Sequence, residues 1–475
     1  MQDFLAFINQ VLWGAILLYL VPATGVWFTL RCSFVQFRYF VPAVKSLKIT
    51  FRTANKNITP FQSICTSMAA RVGSGNLAGV VIALAGGGPG ALFWMWFAAL
   101  IGMATTFAEC TLAQLYKTPN KDGGFRGGPA WYMAHGLGMR WMGIAFSFFL
   151  LVAFGLVFNT VQANAIAVAM SGSFSVAPII SGTVLAVIAC LVFTQGLPGI
   201  ARILQWLVPL MAILWIGVSL SVVFTHIELV PGVIRRVIEY AFGWQQVTSG
   251  ALGYTLSQAI ASGLQRAMFS NEAGMGSTPN AAAAAEAIPA HPASQGIVQM
   301  AGVMFDTFGI CTATAAIILL ADTSSDVIDR ANSINLLQNA LSALSGSWGG
   351  SFVAFITVLF SFTSVLANYS YAENNLSFLR LDTPRVVVVL RVIVSLTLLA
   401  GALSSIDLVW SLADIIMAFM AITNLTAILL LSPVVRDVTL DYHRQLKLGV
   451  TPVFDPQRFP DISGQLSPGA WKTPK

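Results

Sequence analysis

Charge is scarce in this chain. Asp, Glu, Lys and Arg make up 9% of its 475 residues, against 56% hydrophobic residues. A soluble fold of this length needs far more charge on its surface, so that class is excluded. Other absences remove further classes. No HExxH, GxSxG or GxxxxGK[ST] occurs, which argues against a zinc hydrolase, an acyl-transfer enzyme and an ATP-driven pump. The Gly86–Gly90 run, GGGPG, lacks the lysine of a phosphate loop and reads as a tight turn. The four histidines (His135, His226, His291, His443) fall in loops or the tail, far apart in sequence. The five cysteines (Cys32, Cys65, Cys110, Cys190, Cys311) show no CxxC spacing, so packed thiols are expected rather than a disulfide frame or a metal site. The N-terminus lacks a basic n-region and a small-residue cleavage site, so its helix is expected to stay in the mature chain.

Long apolar runs are present instead, and the mean hydropathy is +0.76. A run of roughly 20 residues crosses about 30 Å of hydrocarbon, and in lipid only helices satisfy their own backbone. Eleven spans are expected, the first at Val11–Leu30. Five follow near Phe61–Ala85, Ala91–Tyr116, Met142–Met170, Ile179–Gln195 and Ile203–Thr225. Five more lie near Ser249–Ser270, Gly296–Leu320, Ser351–Phe378, Val386–Leu403 and Leu408–Leu431. The net charge of +6 reads as a topology signal rather than a nucleic-acid footprint. Arg31, Arg38, Lys45, Lys48, Arg52 and Lys56 crowd the first connection without an acidic residue. That loop is expected in the cytoplasm, with the N-terminus outside and the C-terminus inside. The link carrying Asp322, Asp326 and Asp329 against Arg330 then faces outside. Leu229–Gly243 and Ala331–Leu344 have helical apolar spacing, like interfacial helices. The segment from Thr439 onward is polar with prolines and reads as a cytoplasmic tail.

One apolar run is interrupted by "ARVGSGNLAG", Ala70–Gly79. Its motif Arg71-x-x-x-x-Asn76-x-Ala78-Gly79 recurs as Arg266-x-x-x-x-Asn271-x-Ala273-Gly274. Each copy opens a set of five spans, and five is odd, so the copies lie in opposite orientations. That is an inverted repeat with interrupted helices, a transporter plan with its site between the repeats. Gly75-x-x-x-Gly79 is also a helix-packing motif, the plainer explanation of the small residues. Glycine weakens a helix by about 1 kcal/mol relative to alanine, and Gly73 and Gly75 stand two apart. Unwinding there frees amides at the positive end of the next half-helix, suited to a carboxylate, and carbonyls suited to a cation. The "FSFTSVLANYS" stretch adds a hydroxyl-rich patch in an apolar span; back-bonding to its own helix is the competing explanation.

At these residues the chain resembles the alanine or glycine:cation symporter family, within the amino acid–polyamine–organocation group. The resemblance lies in "GSGNLAGV", "GGPGALFWMW", "FRGGPAWYM", "RAMFSNEAGMGSTPNAAAAA", "FDTFGICTATA" and "MAITNLTAILLL", spread from near Gln62 to Leu431. It implies an all-α polytopic membrane protein of leucine-transporter type, with a 5+5 inverted repeat and one leading helix. The implied boundaries are a leading helix and basic loop (1–60), a first repeat (61–225) and an external interfacial segment (226–248). A second repeat (249–431) and a cytoplasmic tail (432–475) follow. It implies that the amides of Ser74 and Gly75 hold a substrate carboxylate. Carbonyls of Ala69 and Val72 and hydroxyls of Thr363 and Ser364 would hold Na⁺. Across from them, the break near Phe269–Gly276 would offer carbonyls around Ser270 to the ammonium, with Met268 or Phe269 capping the side chain. Gln162 is implied as a substrate contact, an interhelical hydrogen bond being the alternative for it and for Asn164. Asn76 and Asn271 flank the breaks as caps, ligands or both.

Intramembrane charges are costly and therefore functional suspects. Asp306, mid-span, is the candidate for a proton or gating role, together with the break residues Gly73, Asn271 and Gly274. Glu109 and Glu373 fall near the ends of their spans, within reach of water. Arg71 and Arg266 have Glu272 and Asp306 as candidate partners, and ion pairing competes with transport chemistry for all five groups. The expectation is a secondary symporter of the plasma membrane (the bacterial inner membrane), coupling Na⁺ to uptake of alanine or glycine. It is not an enzyme and needs no cofactor, nucleic acid or obligate protein partner. H⁺ coupling, a larger neutral amino acid such as glutamine or serine, and more remotely a channel, are the alternatives.

Overall fold

The computed structural model describes residues 2–39, 58–120, 123–243, 252–321 and 333–471. Lys45, Lys48, Arg52, Lys56, Asp322, Asp326, Asp329 and Arg330, used above to orient the chain, lie outside them. Among the described residues eight helices are long and apolar enough to cross a membrane. They are α1 Phe4–Arg31, α4 Gly90–Leu115, α5 Arg140–Phe174, α7 Gly196–Thr225, α11 Pro292–Leu320, α13 Trp348–Phe378, α14 Pro384–Leu403 and α15 Ile406–Leu430. A ninth span is the pair α2 Pro60–Arg71 and α3 Gly75–Gly87, bent by 55°. Two further elements fall short of that test. Helix α6, Pro178–Phe193, has 16 residues, and α9, Leu252–Asn271, is followed by a break and then α10, Thr278–Ala284. Counting eleven spans assumes that both of these cross.

Local chemistry explains where the broken helices start and stop. Thr59 caps α2: its hydroxyl accepts from the Gln62 amide while the Gln62 side chain accepts from the Thr59 amide, and Pro60 fills the first turn. The helix ends where Val72 leaves helical geometry at φ −84°, ψ 84°. Helix α9 ends at Asn271, whose Oδ1 accepts from the Ala273 amide at 3.1 Å. Gly274 and Gly276 follow with φ of 84° each, a conformation that side-chain-bearing residues avoid.

The packing has the symmetry an inverted repeat requires. Each half contributes a broken helix and four continuous ones. The second element of each half, α4 and α11, pack on one another, as do the third elements, α5 and α13. Helix α4 also packs against α9, and α13 against α2, so each broken helix leans on the other half. Helix α1 lies outside both sets, against α4.

Outside the bundle, α8 Val230–Ala241 and α12 Ser333–Ser345 occupy the two stretches expected to be interfacial helices. The tail is more ordered than its polar sequence implies. Thr439 lies inside α16, Ser432–Lys447. The chain beyond folds back: Phe454 N donates to Ala290 O at 2.9 Å, and Trp471 Nε1 donates to Leu115 O at 3.1 Å. A two-stranded hairpin, β1 Thr118–Pro119 with β2 Phe125–Arg126, follows α4 at the same end.

Candidate functional site

The first break releases backbone groups that an intact helix would pair. Val72 N still reaches Met68 O, but Gly73 N turns to Arg71 O and to Asn76 Oδ1, at 3.1 and 3.2 Å. Ala69 O therefore loses its helical donor. Asn76 N goes to Gly73 O at 3.1 Å, which leaves Val72 O free in the same way. Ser364, on α13, meets both orphans. Its Oγ stands 2.7 Å from Ala69 O, 3.4 Å from Val72 O and 3.0 Å from Phe360 O. Its neighbour Thr363 is placed differently: that hydroxyl donates to Phe360 O of its own helix at 2.9 Å and touches Met211 Sδ at 3.4 Å.

On the other side of the break, Ser74 N donates to Gln162 Oε1 at 2.9 Å. The Ser74 hydroxyl is buried and has no partner among the described residues. Gly73 is wedged so tightly that a Cβ would stand 2.4 Å from Ser364 Oγ and 2.9 Å from Gln162 Oε1. A Cβ on Gly75 would stand 2.6 Å from the ring of Phe269. That ring is held by Trp410 and Phe158, with centroids 4.7 and 5.3 Å away. Met268 is buried beside it. The two breaks thus face one another, glycine backbone against aromatic ring.

A polar cluster joins them. Asn76 Nδ2 donates to Asp306 Oδ1 at 2.5 Å and to Ser270 Oγ at 3.1 Å, and Ser270 Oγ donates to Asp306 Oδ2 at 2.5 Å. Asn271 Nδ2 reaches Thr307 Oγ1 at 3.1 Å. Asp306 is fully buried, on a π-helical stretch, Phe305–Cys311, within α11. Such stretches are frequent at functional sites.

The intramembrane charges resolve otherwise than their sequence neighbours imply. Arg266 pairs with Asp414 of α15 at 2.5 Å, not with Glu272 or Asp306. Its guanidinium also lies 4.9 Å from the Trp410 ring centre. Arg71 donates to two neutral oxygens, Gln299 O at 3.1 Å and Thr278 Oγ1 at 2.9 Å, bracing the first break against α10 and α11. Glu109 does not reach water. It is fully buried, and its Oε2 accepts from Asn424 Nδ2 at 2.8 Å. Asn424 Nδ2 also holds Gly274 O at 3.0 Å, and Tyr132 OH donates to Asn424 Oδ1. Glu272 accepts from Ser277 Oγ at 2.5 Å. Asn164 spans to α14, donating to Gly401 O at 3.3 Å and to Ser404 O at 2.7 Å, a structural tie.

Sequence reasoning missed Asp414, Asn424 and Trp410. The first carried a usable signal, a carboxylate inside an apolar span. Asn424 stood within one of the quoted motifs, and Trp410 carried none.

The geometry can be compared with known proteins. Along 98% of its length, a crystal structure of MhsT in complex with L-phenylalanine matches 82% of this chain at TM-score 0.54 and 12% identity, which establishes a shared fold. The chain is 59% identical to the uncharacterized transporter YaaJ of Escherichia coli over 99% of both chains. It is 43% identical to the probable sodium/glutamine symporter GlnT of Bacillus subtilis, covering 94% of this chain and 91% of that one. It is 36% identical to the sodium/alanine symporter AgcS of Methanococcus maripaludis, covering 91% and 96%. The model of the sodium:alanine symporter family matches residues 1–456. With two opposed helix breaks in a shared transporter fold and a match along almost its whole length, this chain belongs to the sodium:alanine symporter family.

Proposed function

We propose that the protein couples Na⁺ entry to uptake of a small neutral amino acid, alanine or glycine, by alternating access. The observation that carries this reading is the meeting of Ala69 O and Val72 O on Ser364 Oγ. Carbonyl and hydroxyl oxygens are the hard donors a hard cation prefers, and two halves of the molecule supply them. A cation there holds α2 against α13. Thr363 joins the cation only by releasing Phe360 O.

The substrate carboxylate takes the Ser74 and Gly75 amides, at the positive end of α3. Gln162 turns its Nε2 toward it, and the Ser74 hydroxyl gains a partner. Carbonyls around Phe269 to Asn271, with Ser270, accept from the α-ammonium. Phe269, backed by Trp410, closes over the side chain and favours a hydrogen or a methyl group there. Asn76, Ser270 and Asp306 bridge both breaks, so filling the site changes how the repeats hold one another.

In this reading the protein lies in a bacterial inner membrane, the N-terminus outside and the tail in the cytoplasm. The similarity to a probable sodium/glutamine symporter favours a second substrate reading, glutamine or serine, in which the Phe269 ring swings clear. The buried Asp306 carboxylate, held by the neutral donors Asn76, Ser270 and Thr307 among the described residues, favours H⁺ as the alternative coupling ion. Proteoliposome uptake of labelled alanine, glycine, serine and glutamine, with and without a Na⁺ gradient, tests all of these. Na⁺-driven alanine accumulation, abolished by Gly75→Val, is the expected result. Alanine uptake indifferent to Na⁺ and pH gradients would remove the reading, and downhill flux alone would point to a channel.

A further inference from the structure

Helix α1 stands outside both repeats, and most of it faces away from the bundle. Only 17% of its apolar window is buried, and Phe4, Phe7 and Trp27 are among its exposed side chains. A π-helical stretch, Gln10–Leu17, departs from this. Its Leu12, Trp13 and Leu17 are buried, and it packs on both α9 and α15. Further along, α1 is keyed into α4, where a Cβ on Gly25 would stand 2.8 Å from Ile101 Cβ.

Two side chains of α1 donate to the backbone of α15. Trp13 Nε1 reaches Asp414 O at 3.0 Å, and Asn9 Nδ2 reaches Ser411 O at 3.3 Å. The donors are four residues apart on one helix and the acceptors three apart on the other, so both bonds lie along one seam. Each takes the second lone pair of a carbonyl and leaves the helix of α15 intact. The turn they grip also covers the candidate site. Asp414 is the partner of Arg266, and Trp410, four residues earlier, backs the Phe269 ring at 4.7 Å. Neither contact by itself fixes how closely α15 sits. A buried ion pair gains little net of desolvation, and apolar faces have no hydrophobic drive to associate in lipid. The directed bonds from α1 supply what these contacts lack.

We propose that α1 is a strut for selectivity: Trp13 and Asn9 seat α15 so that Trp410 presses Phe269 over the substrate side chain and limits its size. Trp13 belongs to neither break and acts through α15, as a positioning residue. The Phe269 ring is held by Trp410 and Phe158, so a retreat of Trp410 frees one side of it. The space gained lies at the side-chain end of the site. The Ser74 and Gly75 amides, and the carbonyls Ala69 O and Val72 O, stay where they are. The strut therefore governs discrimination by size rather than ion binding. The assignment rests on the amino acid reading for its ligand, but not for its residues.

Competition for labelled L-alanine on the purified full-length protein in saturating NaCl tests it. Unlabelled alanine, glutamine and leucine are the competitors, and the readout is the affinity of the two larger ones relative to alanine. Trp13→Phe keeps a ring and loses the N–H. Loss of one interhelical bond in a membrane bundle should raise that ratio about 3- to 15-fold. Asn9→Leu should shift it the same way, and decides the matter if Trp13→Phe does not fold. Trp27→Phe, the same change at an exposed position of α1, should keep the wild-type ratio. An unshifted ratio in both Trp13→Phe and Asn9→Leu, or an equal shift in Trp27→Phe, overturns the strut. Competitors all weakened by one common factor would make the contact merely structural, and overturn it too. In these cases Na⁺-dependent alanine binding leaves the symporter reading standing. A shifted ratio on binding that needs no Na⁺ supports the strut and removes the symporter reading instead. No amino acid bound by the wild type overturns both.

Discussion

Gly73→Ala is the sharpest perturbation the candidate site offers. The added methyl would stand 2.4 Å from Ser364 Oγ, 2.9 Å from Gln162 Oε1 and 3.0 Å from Gln162 Nε2. Ordinary contacts begin near 3.4 Å, so both side chains must withdraw. Ser364 then leaves Ala69 O and Val72 O, and Gln162 leaves the Ser74 amide. Overpacking of this kind costs about 1–3 kcal/mol. If that cost falls on the ion-bound state, half-saturating Na⁺ rises by roughly 5- to 150-fold. The assay is Na⁺-dependence of alanine uptake in proteoliposomes. Gly79→Ala, four residues beyond the Gly75 start of α3, is the control: its methyl would meet Trp410 at 3.4 Å, an ordinary contact. Gly79→Ala should transport like the wild type. Unchanged half-saturation for both Na⁺ and alanine in Gly73→Ala would refute the placement of ion and carboxylate on either side of this residue.

Three further outcomes follow from the same geometry. Ser364→Ala should raise half-saturating Na⁺ more than Thr363→Ala, because only Ser364 touches the released carbonyls. Thr363→Ala should weaken Na⁺-dependence before alanine binding, and the reverse order would take Thr363 out of the cation site. Arg266→Met removes the guanidinium that Asp414 meets at 2.5 Å and should cost about 3–5 kcal/mol, read as a lower melting temperature in detergent. The double change with Asp414→Leu should recover most of it; a double variant as unstable as the single one would refute pairing as the main role. The tail should loosen in acid. His291 Nδ1 accepts from Ala293 N at 3.2 Å, so its Nε2 carries the proton and faces Asp441 Oδ2 at 3.4 Å. Burial holds the imidazole below its ordinary 6.5, whereas an undocked tail would leave it near that value. Docking is then undiminished above 6.5 and weakens as pH falls from there toward the lowered value, where only the undocked state is protonated. Amide exchange protection in Phe454–Trp471 should drop from about pH 7 to about pH 5, and not in His291→Gln. A drop of equal size in His291→Gln would assign it to another group.

Much of the architecture was legible because lipid leaves a chain few options. A run of apolar residues near 20 long has to be a helix, and a run broken by glycines and a buried asparagine has to border protein or a cavity. The repeated Arg-x-x-x-x-Asn-x-Ala-Gly located both breaks, and the helices do end at Arg71 and Asn271. The weak point was α9. Its Gln258, Ser262 and Gln265 lower its hydropathy because it packs against α4 and α3 rather than against lipid. Hydropathy reports the neighbour of a helix as much as its path. The docking of the tail was illegible for a related reason: polar, proline-rich sequence does not reveal that Phe454 has an aromatic partner in His291 and Trp471 a backbone partner in Leu115, both in distant segments.

The charges mark the boundary between what one sequence can and cannot disclose. That Arg266, Glu109 and Asp306 sit in apolar spans is readable, and the cost of burial makes each a suspect. Which group answers each charge is not readable, because the answer lies on another helix. Arg266 finds Asp414 and Glu109 finds Asn424, whereas the nearest carboxylates in sequence, Glu272 and Asp306, bond to hydroxyls and amides. The inverted repeat explains part of this pattern: Glu109 meets Asn424 across the two halves, while Arg266 and Asp414 belong to the same half. Each broken helix is braced by the opposite half: α13 for the first break, and α4 for the second through Glu109 and Gly274 N at 3.4 Å. Contacts across a two-fold relation join residues far apart in sequence by construction. For the same reason, every polar group that bridges the halves is a point where ion or substrate can alter their fit. Asn76, Ser270 and Asp306 touch both breaks at once. Asn76→Ala should therefore uncouple the two ligands, leaving Na⁺ and alanine each able to bind while removing the effect of one on the affinity of the other. Retained mutual enhancement in Asn76→Ala would show that the coupling runs through the cation carbonyls instead.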